Sequence, residues 1–324
     1  MSDLRVENGV LIGSRDELYL AGGAHGMLQY ALGELRPKPS SVAAFKENLA
    51  SRKAICESLG LPYLHLVAPE KYKVYCDDFP VKNALSPVDH YRECGDFVYP
   101  DKLLQAVSEG RTYFRNDTHW APHGQIEIAC FLASTFGLQK IPEARQAMLA
   151  ALAPRRFVGD LGNKLATQPS EDALRLRASP LYSEYENGLA QDNSKPVNDG
   201  RLILGLSEHP TAQGRLLIFG SSFLWTSMPY LGYLFKEVVF CRTRFFHPEM
   251  IHMVRPDYVV SEMAERYLSQ VTPDAEAPPF LLMPYLLNRA PTWPESSIRQ
   301  LTKALMGGRE PAWNLFPRPQ APSS

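Results

Sequence analysis

The 324-residue chain lacks an excess of charge of either sign. Thirty-four basic residues face thirty-five acidic ones, for a formal net charge of −1. No strong basic field is available to hold a phosphate backbone, which removes the main driving force for general nucleic-acid binding. Long apolar runs are missing too. None approaches the ~20 residues that span a bilayer, so the chain does not read as an integral membrane protein. The opening MSDLRVENGV has no charged start followed by an apolar stretch, so no signal peptide is visible. The expected location is therefore cytoplasmic, or periplasmic if the sequence is truncated or is exported in another way. Cysteine is sparse and unpaired. Cys56, Cys76, Cys94, Cys130 and Cys241 form no C-x-x-C pair, which argues against a structural zinc site or a disulfide framework. Internal repeats and low-complexity tracts are also missing.

What remains is ordinary globular composition, 45% apolar and 21% charged. Val10–Ile12 and Leu18–Leu20 read as a small hairpin. A helix is expected from about Ser41 to Leu59, and a buried strand over Tyr63–Ala68, ended by Pro69. Helical periodicity returns near Asp101–Glu109, and Thr112–Arg115 reads as a short strand. Pro122 suits a first helical position and opens a helix to Phe136. The stretch 154–199 reads as surface structure and loop. Beyond it, strands over Arg201–Leu206, Arg215–Phe219, Glu237–Cys241 and Asp257–Ser261 alternate with helices over Leu224–Phe235, near Pro248–Val254 and from Ala264. Such alternation predicts right-handed crossovers and a mainly parallel sheet. Residues 271–324 carry ten of the 27 prolines. They are expected to form an irregular extension against a 1–270 body, frayed after Phe316.

Two stretches carry chemistry. Leu216–Phe223 reads as a buried strand, a glycine turn and a helix start. A serine there sits at the carboxyl end of a parallel strand, where open α/β sheets place ligands, and the helix start offers free N–H groups to an oxyanion. Leu224 stands where the α/β-hydrolase elbow needs glycine, so that fold is not indicated. A serine that only caps the helix fits the same residues. The second stretch is Asp117-Thr118-His119-Trp120. A serine nucleophile needs a base, and the base needs an orienting carboxylate; Asp117 and His119 supply both on one loop. A capping Asp117 and a solvated His119 are the alternative. His119 and His123 have the spacing of a helical zinc pair, but Pro122 works against a helix through both. His247 and His252 fit surface or capping positions. Arg242 and Arg244 follow a strand end and can face an anionic group or stand solvated. Glu262, Glu265 and Arg266 follow the strand DYVVS, where a strand-end site and a solvated helix start fit equally. Trp120, Phe223 and Trp225 suit sugar stacking or core packing equally.

Together these stretches resemble the alginate O-acetyltransferase family of AlgJ and AlgX type. Asp117-Thr118-His119-Trp120 matches its D-T-H-W motif, and Gly220-Ser221-Ser222-Phe223 its G-[DT]-S-[FY] motif, with Ser221 in place of Asp or Thr. Val67–Lys71 is similar to its "vaPdK" segment, Leu11–Leu20 with Gly22-Gly23 to its "gWLFL" segment, and Val260–Leu268 to its closing E-x-x-E-R segment. The resemblance spans residues 8 to 270. It implies an SGNH-hydrolase-like three-layer α/β/α fold with a mainly parallel sheet. It also implies Ser222 as nucleophile, His119 as base and Asp117 as orienter, with no cofactor or metal. Ser221, Trp120, Phe223, Arg242 and Arg266 are the expected substrate-binding residues. The implied activity is O-acetylation of a carbohydrate acceptor. The acyl donor would be acetyl-CoA or a membrane-bound acetyl-transfer partner. A carbohydrate esterase with the same triad, or a non-catalytic carbohydrate-binding or assembly protein, remains as an alternative.

Overall fold

The computed structural model describes residues 4–189 and 199–312. Trp313 and the end expected to fray after Phe316 lie outside the described residues, as does 190–198 of the central stretch. Near the start, β1 (Val6–Glu7), β2 (Val10–Ile12) and β3 (Leu18–Leu20) form an antiparallel meander. The expected hairpin is β2–β3. The extra strand is turned by Asn8 and Gly9, both at positive φ, the sequence pair that suits a tight hairpin turn.

Helix α1 (Pro39–Ser58) leads to β4 (Tyr63–Ala68). Then come α2 (Pro122–Thr135), α3 (Ile141–Ala150) and the two-stranded β5 (Leu152–Phe157) and β6 (Glu171–Leu176). The second half runs β7 (Tyr182–Glu186), β8 (Leu202–Ser207), β9 (Arg215–Gly220), α4 (Ser222–Leu231), β10 (Glu237–Arg242), α5 (Pro248–Val254) and β11 (Tyr258–Ala264). It closes with α6 (Glu295–Leu305).

Six strands form the central sheet in the order β4-β11-β9-β10-β8-β7. The first four are parallel; β8 and β7 add an antiparallel edge. Period-2 alternation splits the strand residues between two cores. Leu216, Ile218, Val238, Phe240 and Val260 pack with Ile126 and Leu132 of α2 and Leu224 and Met228 of α4. Leu217, Phe219, Val239, Cys241 and Val259 pack on the other face with Cys56 of α1, Ile251 of α5 and Leu301 of α6. Strands this buried on both faces read as continuous apolar runs. The protein has the expected three-layer α/β/α fold with a mainly parallel sheet.

Several local expectations need correcting. Thr112–Arg115 is not a strand; Tyr113 makes one isolated bridge, to Trp120. The helix from Asp101 ends at Gln105. The helix after β9 runs from Ser222 to Leu231, and the one after Ala264 is a short 3-10 turn, Glu265–Ser269. The central stretch holds β5 and β6 and gives β7 to the main sheet. The proline-rich segment is less irregular than expected, since α6 and Phe280 enter the second core.

Candidate active site

Four parallel strands end on the same side, and the chemistry-bearing residues follow those ends: Glu70 and Lys71 after β4, Ser221 and Ser222 after β9, Arg242 at the end of β10, and Glu265 and Arg266 after β11. Loop 113–120 is brought to this edge by its anchors. Ala121 N–H donates to the Thr112 carbonyl at 2.8 Å and Phe114 N–H to His119 at 3.4 Å. The buried Lys71 ammonium donates to the carbonyls of Phe114 and Arg115 at 2.7 and 2.8 Å. Trp120 Nε1 donates to Tyr113 Oη, which donates to the Pro69 carbonyl. Pro122 then starts α2. Gly124 is required there, because a Cβ would collide with the Thr112 carbonyl oxygen.

Asp117 is buried, and both its carboxylate oxygens are used. Oδ1 accepts from the His119 backbone N–H at 2.8 Å and lies 2.6 Å from His119 Nδ1. Oδ2 accepts from the Asp160 backbone N–H at 2.8 Å. Burial by itself raises this carboxyl. The hydrogen bond and charge of His119, with the two backbone N–H groups, overcome burial and hold it down at about 2. An ionised Asp117 keeps the proton on Nδ1 and leaves Nε2 as the basic nitrogen.

Ser222 begins α4 and is half-buried. The turn is close-packed at Gly220, where a Cβ would lie within 3.2 Å of Glu262, Phe240 and Ile218. Ser221 is the N-cap. Its backbone N–H and hydroxyl both donate to Glu262 at 2.7 Å, and its oxygen accepts from Phe223 N–H at 3.3 Å. Burial raises the Glu262 carboxyl, while the Ser221 bonds act against it. With Ser221 fixed this way, the turn presents Ser222 to the cavity. Among the described residues the Ser222 N–H and hydroxyl have no hydrogen-bond partner, and no bond joins Ser222 to His119.

His119, Ser222, Arg242 and Arg266 line one cavity of about 330 Å³, together with Asp160, Arg201 and Trp225. Arg266 pairs with Glu70 at 2.7 Å and lies 5.5 Å from the Phe223 ring centre. Arg201 stacks on Trp225 at 4.6 Å. A larger cleft of about 600 Å³ shares His119 and is walled by Arg155, Arg175, Arg177, Phe157 and Tyr230. Here Arg175 lies over both Phe114 and Phe157.

The structure thus brings Asp117, His119 and Ser222 to one cavity edge, with Arg242 and Arg266 beside them. Trp120 and Phe223 are 0% and 1% exposed. They pack edge-on at 4.8 Å beneath His119 and offer no open face for stacking. Ser221 is buried and committed to Glu262. The spacing of His119 and His123 does not converge: His123 packs against Gly110. Among the described residues, the group whose ligand-type atoms gather is Asp117, His119 and Asp160. Asp160, Arg201 and the cleft arginines escaped the sequence reading. The glycines flanking Asp160, at 159 and 162, were the available sign of a tight turn.

No protein-family model matches the chain. It is 24% identical, in a 269-residue alignment that covers 72% of this chain, to the probable alginate O-acetylase AlgJ of Pseudomonas putida. It spans less than two thirds of the length of the curated relatives it matches. Among solved structures, a DHHW family protein from Eubacterium siraeum is similar at TM-score 0.56 and 15% identity, covering 85% of this chain and 96% of the other. Bacillus cereus PatB1, solved with a sulfonyl adduct, is similar at TM-score 0.52 and 12% identity, covering 83% and 97%. Both likenesses concern the fold. The D-T-H-W and G-S-S-F stretches thus meet at one cavity, in a chain that is similar over most of its length to proteins named as probable alginate O-acetylases AlgJ.

Proposed function

We propose that this protein is an O-acetyltransferase that esterifies hydroxyl groups of a polysaccharide through an acetyl-Ser222 intermediate. The carrying observation is the 2.6 Å contact between Asp117 and His119 Nδ1 on the cavity that Ser222 also lines. His119 Nε2 removes the Ser222 hydroxyl proton as Oγ attacks the donor's acyl carbon. The negative oxygen of the tetrahedral intermediate is stabilised by the Ser222 N–H at the start of α4 and by the Arg266 guanidinium. The donor's leaving group departs with the proton from His119, leaving acetyl-Ser222. A glycan hydroxyl then gives its proton to His119 and attacks the ester carbon, and His119 returns that proton to Ser222 Oγ as the acyl–oxygen bond breaks. The arginine and aromatic cleft adjoining His119 supports an extended carbohydrate acceptor. Acetyl-CoA or a membrane-bound acetyl-transfer partner would supply the acetyl group.

The test is intact mass after exposure to an activated acetyl ester. Wild type is expected to gain one acetyl group, about 42 Da, while Ser222→Ala and His119→Ala gain none. Adding soluble oligosaccharides should discharge the adduct onto sugar faster than onto water. Discharge to free acetate alone would make the protein an esterase. A folded wild type that never acylates and never turns over an ester would remove the acyl-enzyme reading.

A further inference from the structure

We propose that Asp160 is a positioning residue for the Asp117–His119 pair, supplied from a segment outside both sequence motifs. It sits 43 positions from Asp117, between β5 and β6, and grips the catalytic loop with three hydrogen bonds. Its Oδ1 accepts from Thr118 N–H at 2.8 Å, and its Oδ2 from the Thr118 hydroxyl at 2.6 Å. Its own backbone N–H closes the one Asp117 oxygen that His119 does not use. Asp117 and His119 are thereby held on one side by their own turn and on the other by the 159–162 loop.

That loop is built for close approach. A Cβ on Gly159 would collide with the Asn116 carbonyl oxygen. The same carbonyl accepts from Leu161 N–H at 3.2 Å and from Gly162 N–H at 2.9 Å. Residues 116, 117 and 118 are therefore each bonded by the 159–162 loop. Asp160 Oδ2 also lies 3.9 Å from His119 Nδ1, beyond hydrogen-bond distance, so Asp160 acts through Thr118 and Asp117. A base that must stay aligned with a nucleophile loses rate steeply when its support loosens. Asp160 is 41% exposed at the side chain, so replacing it leaves the core untouched.

The effect on rate rests on the acyltransfer reading; the effect on geometry does not. The test therefore has two arms. The first follows the downfield His119 Nδ1–H proton resonance in water, assigned by its loss in His119→Ala. It should be present in wild type, lost to exchange in Asp160→Ala and retained in Asp160→Asn. In the last variant the amide oxygen still accepts from Thr118 N–H and the NH₂ donates to the Thr118 hydroxyl. The second arm measures transfer from an activated acetyl ester. Asp160→Ala should lower kcat about tenfold with KM unchanged, and Asp160→Asn should recover most of it. An unchanged resonance in Asp160→Ala, or none in wild type, overturns the proposal. Equal losses in the Ala and Asn variants also overturn it, because charge rather than hydrogen bonding would then be at work. An unreactive Ser222 with the resonances behaving as stated would sink the acyltransfer reading and leave the positioning role standing.

Discussion

Asp117 differs from a helix-capping aspartate in what its oxygens accept. One takes the backbone and ring of His119, the other a backbone N–H from a separate segment. An asparagine there keeps the volume but loses the charge that fixes the imidazole's proton on Nδ1. Asp117→Asn should therefore lower acylation of Ser222 by about three orders of magnitude, with the fold retained. Stopped-flow release from an activated ester measures this; a loss under tenfold would mean that His119 needs no ionised partner. This residue pair was legible in the sequence because its geometry is local. Two residues on one turn can meet only in a few ways, and D-T-H-W states them. Asp160 was not legible, because nothing near it in the chain marks what it touches 43 positions away. Trp120 and Phe223 were legible as aromatic but not as buried, since depth beneath a site has no local sign.

At the scale of elements, periodicity succeeded wherever strands were continuous apolar runs. Tyr63–Ala68 was found at its full length, and β9, β10 and β11 to within a few residues. It failed where composition pointed one way and packing another. Thr112–Arg115 has strand-like residues, yet its backbone is used to close a loop on Trp120 and Ala121. The proline count of residues 271–324 suggested irregular chain, yet Pro291 and Pro294 stand before α6, and Pro294 is its N-cap. They delimit the helix rather than break it. Ile298, Leu301 and Leu305 then recur at helical spacing, and Leu301 is 1% exposed against the sheet. Leu301→Ala should cost about 2 to 4 kcal/mol of unfolding free energy. Urea denaturation followed by circular dichroism checks it. A cost below about 0.5 kcal/mol would mean that α6 rests on the body without contributing to its core.

At the scale of the whole molecule, convergence of the strand ends forces acids into the interior. Glu265 follows β11, is fully buried, and accepts from Glu70 N–H at 2.8 Å and from Tyr99 Oη at 2.6 Å. Burial dominates and pushes its carboxyl up to about 7, with Glu70's charge adding to the rise and the two hydrogen bonds restraining it. The folded protein therefore holds this proton more tightly than the unfolded chain does. The stabilisation is complete below about pH 4.5 and is lost as pH rises through 7, at most about 3 kcal/mol. His25 opposes it over part of that range. Burial first, then Arg266 and Arg244, lowers its imidazole to about 4, so its contribution grows as pH rises from 4 to 6.5. Comparison with Glu265→Gln cancels His25 and every other unaltered group. The wild-type stability, minus that of the variant, should fall by about 3 kcal/mol between pH 4.5 and pH 7.5 in urea titrations. A difference that stays constant across that window would mean that Glu265 is already ionised when the protein folds, with its charge balanced by Lys73 rather than suppressed by burial.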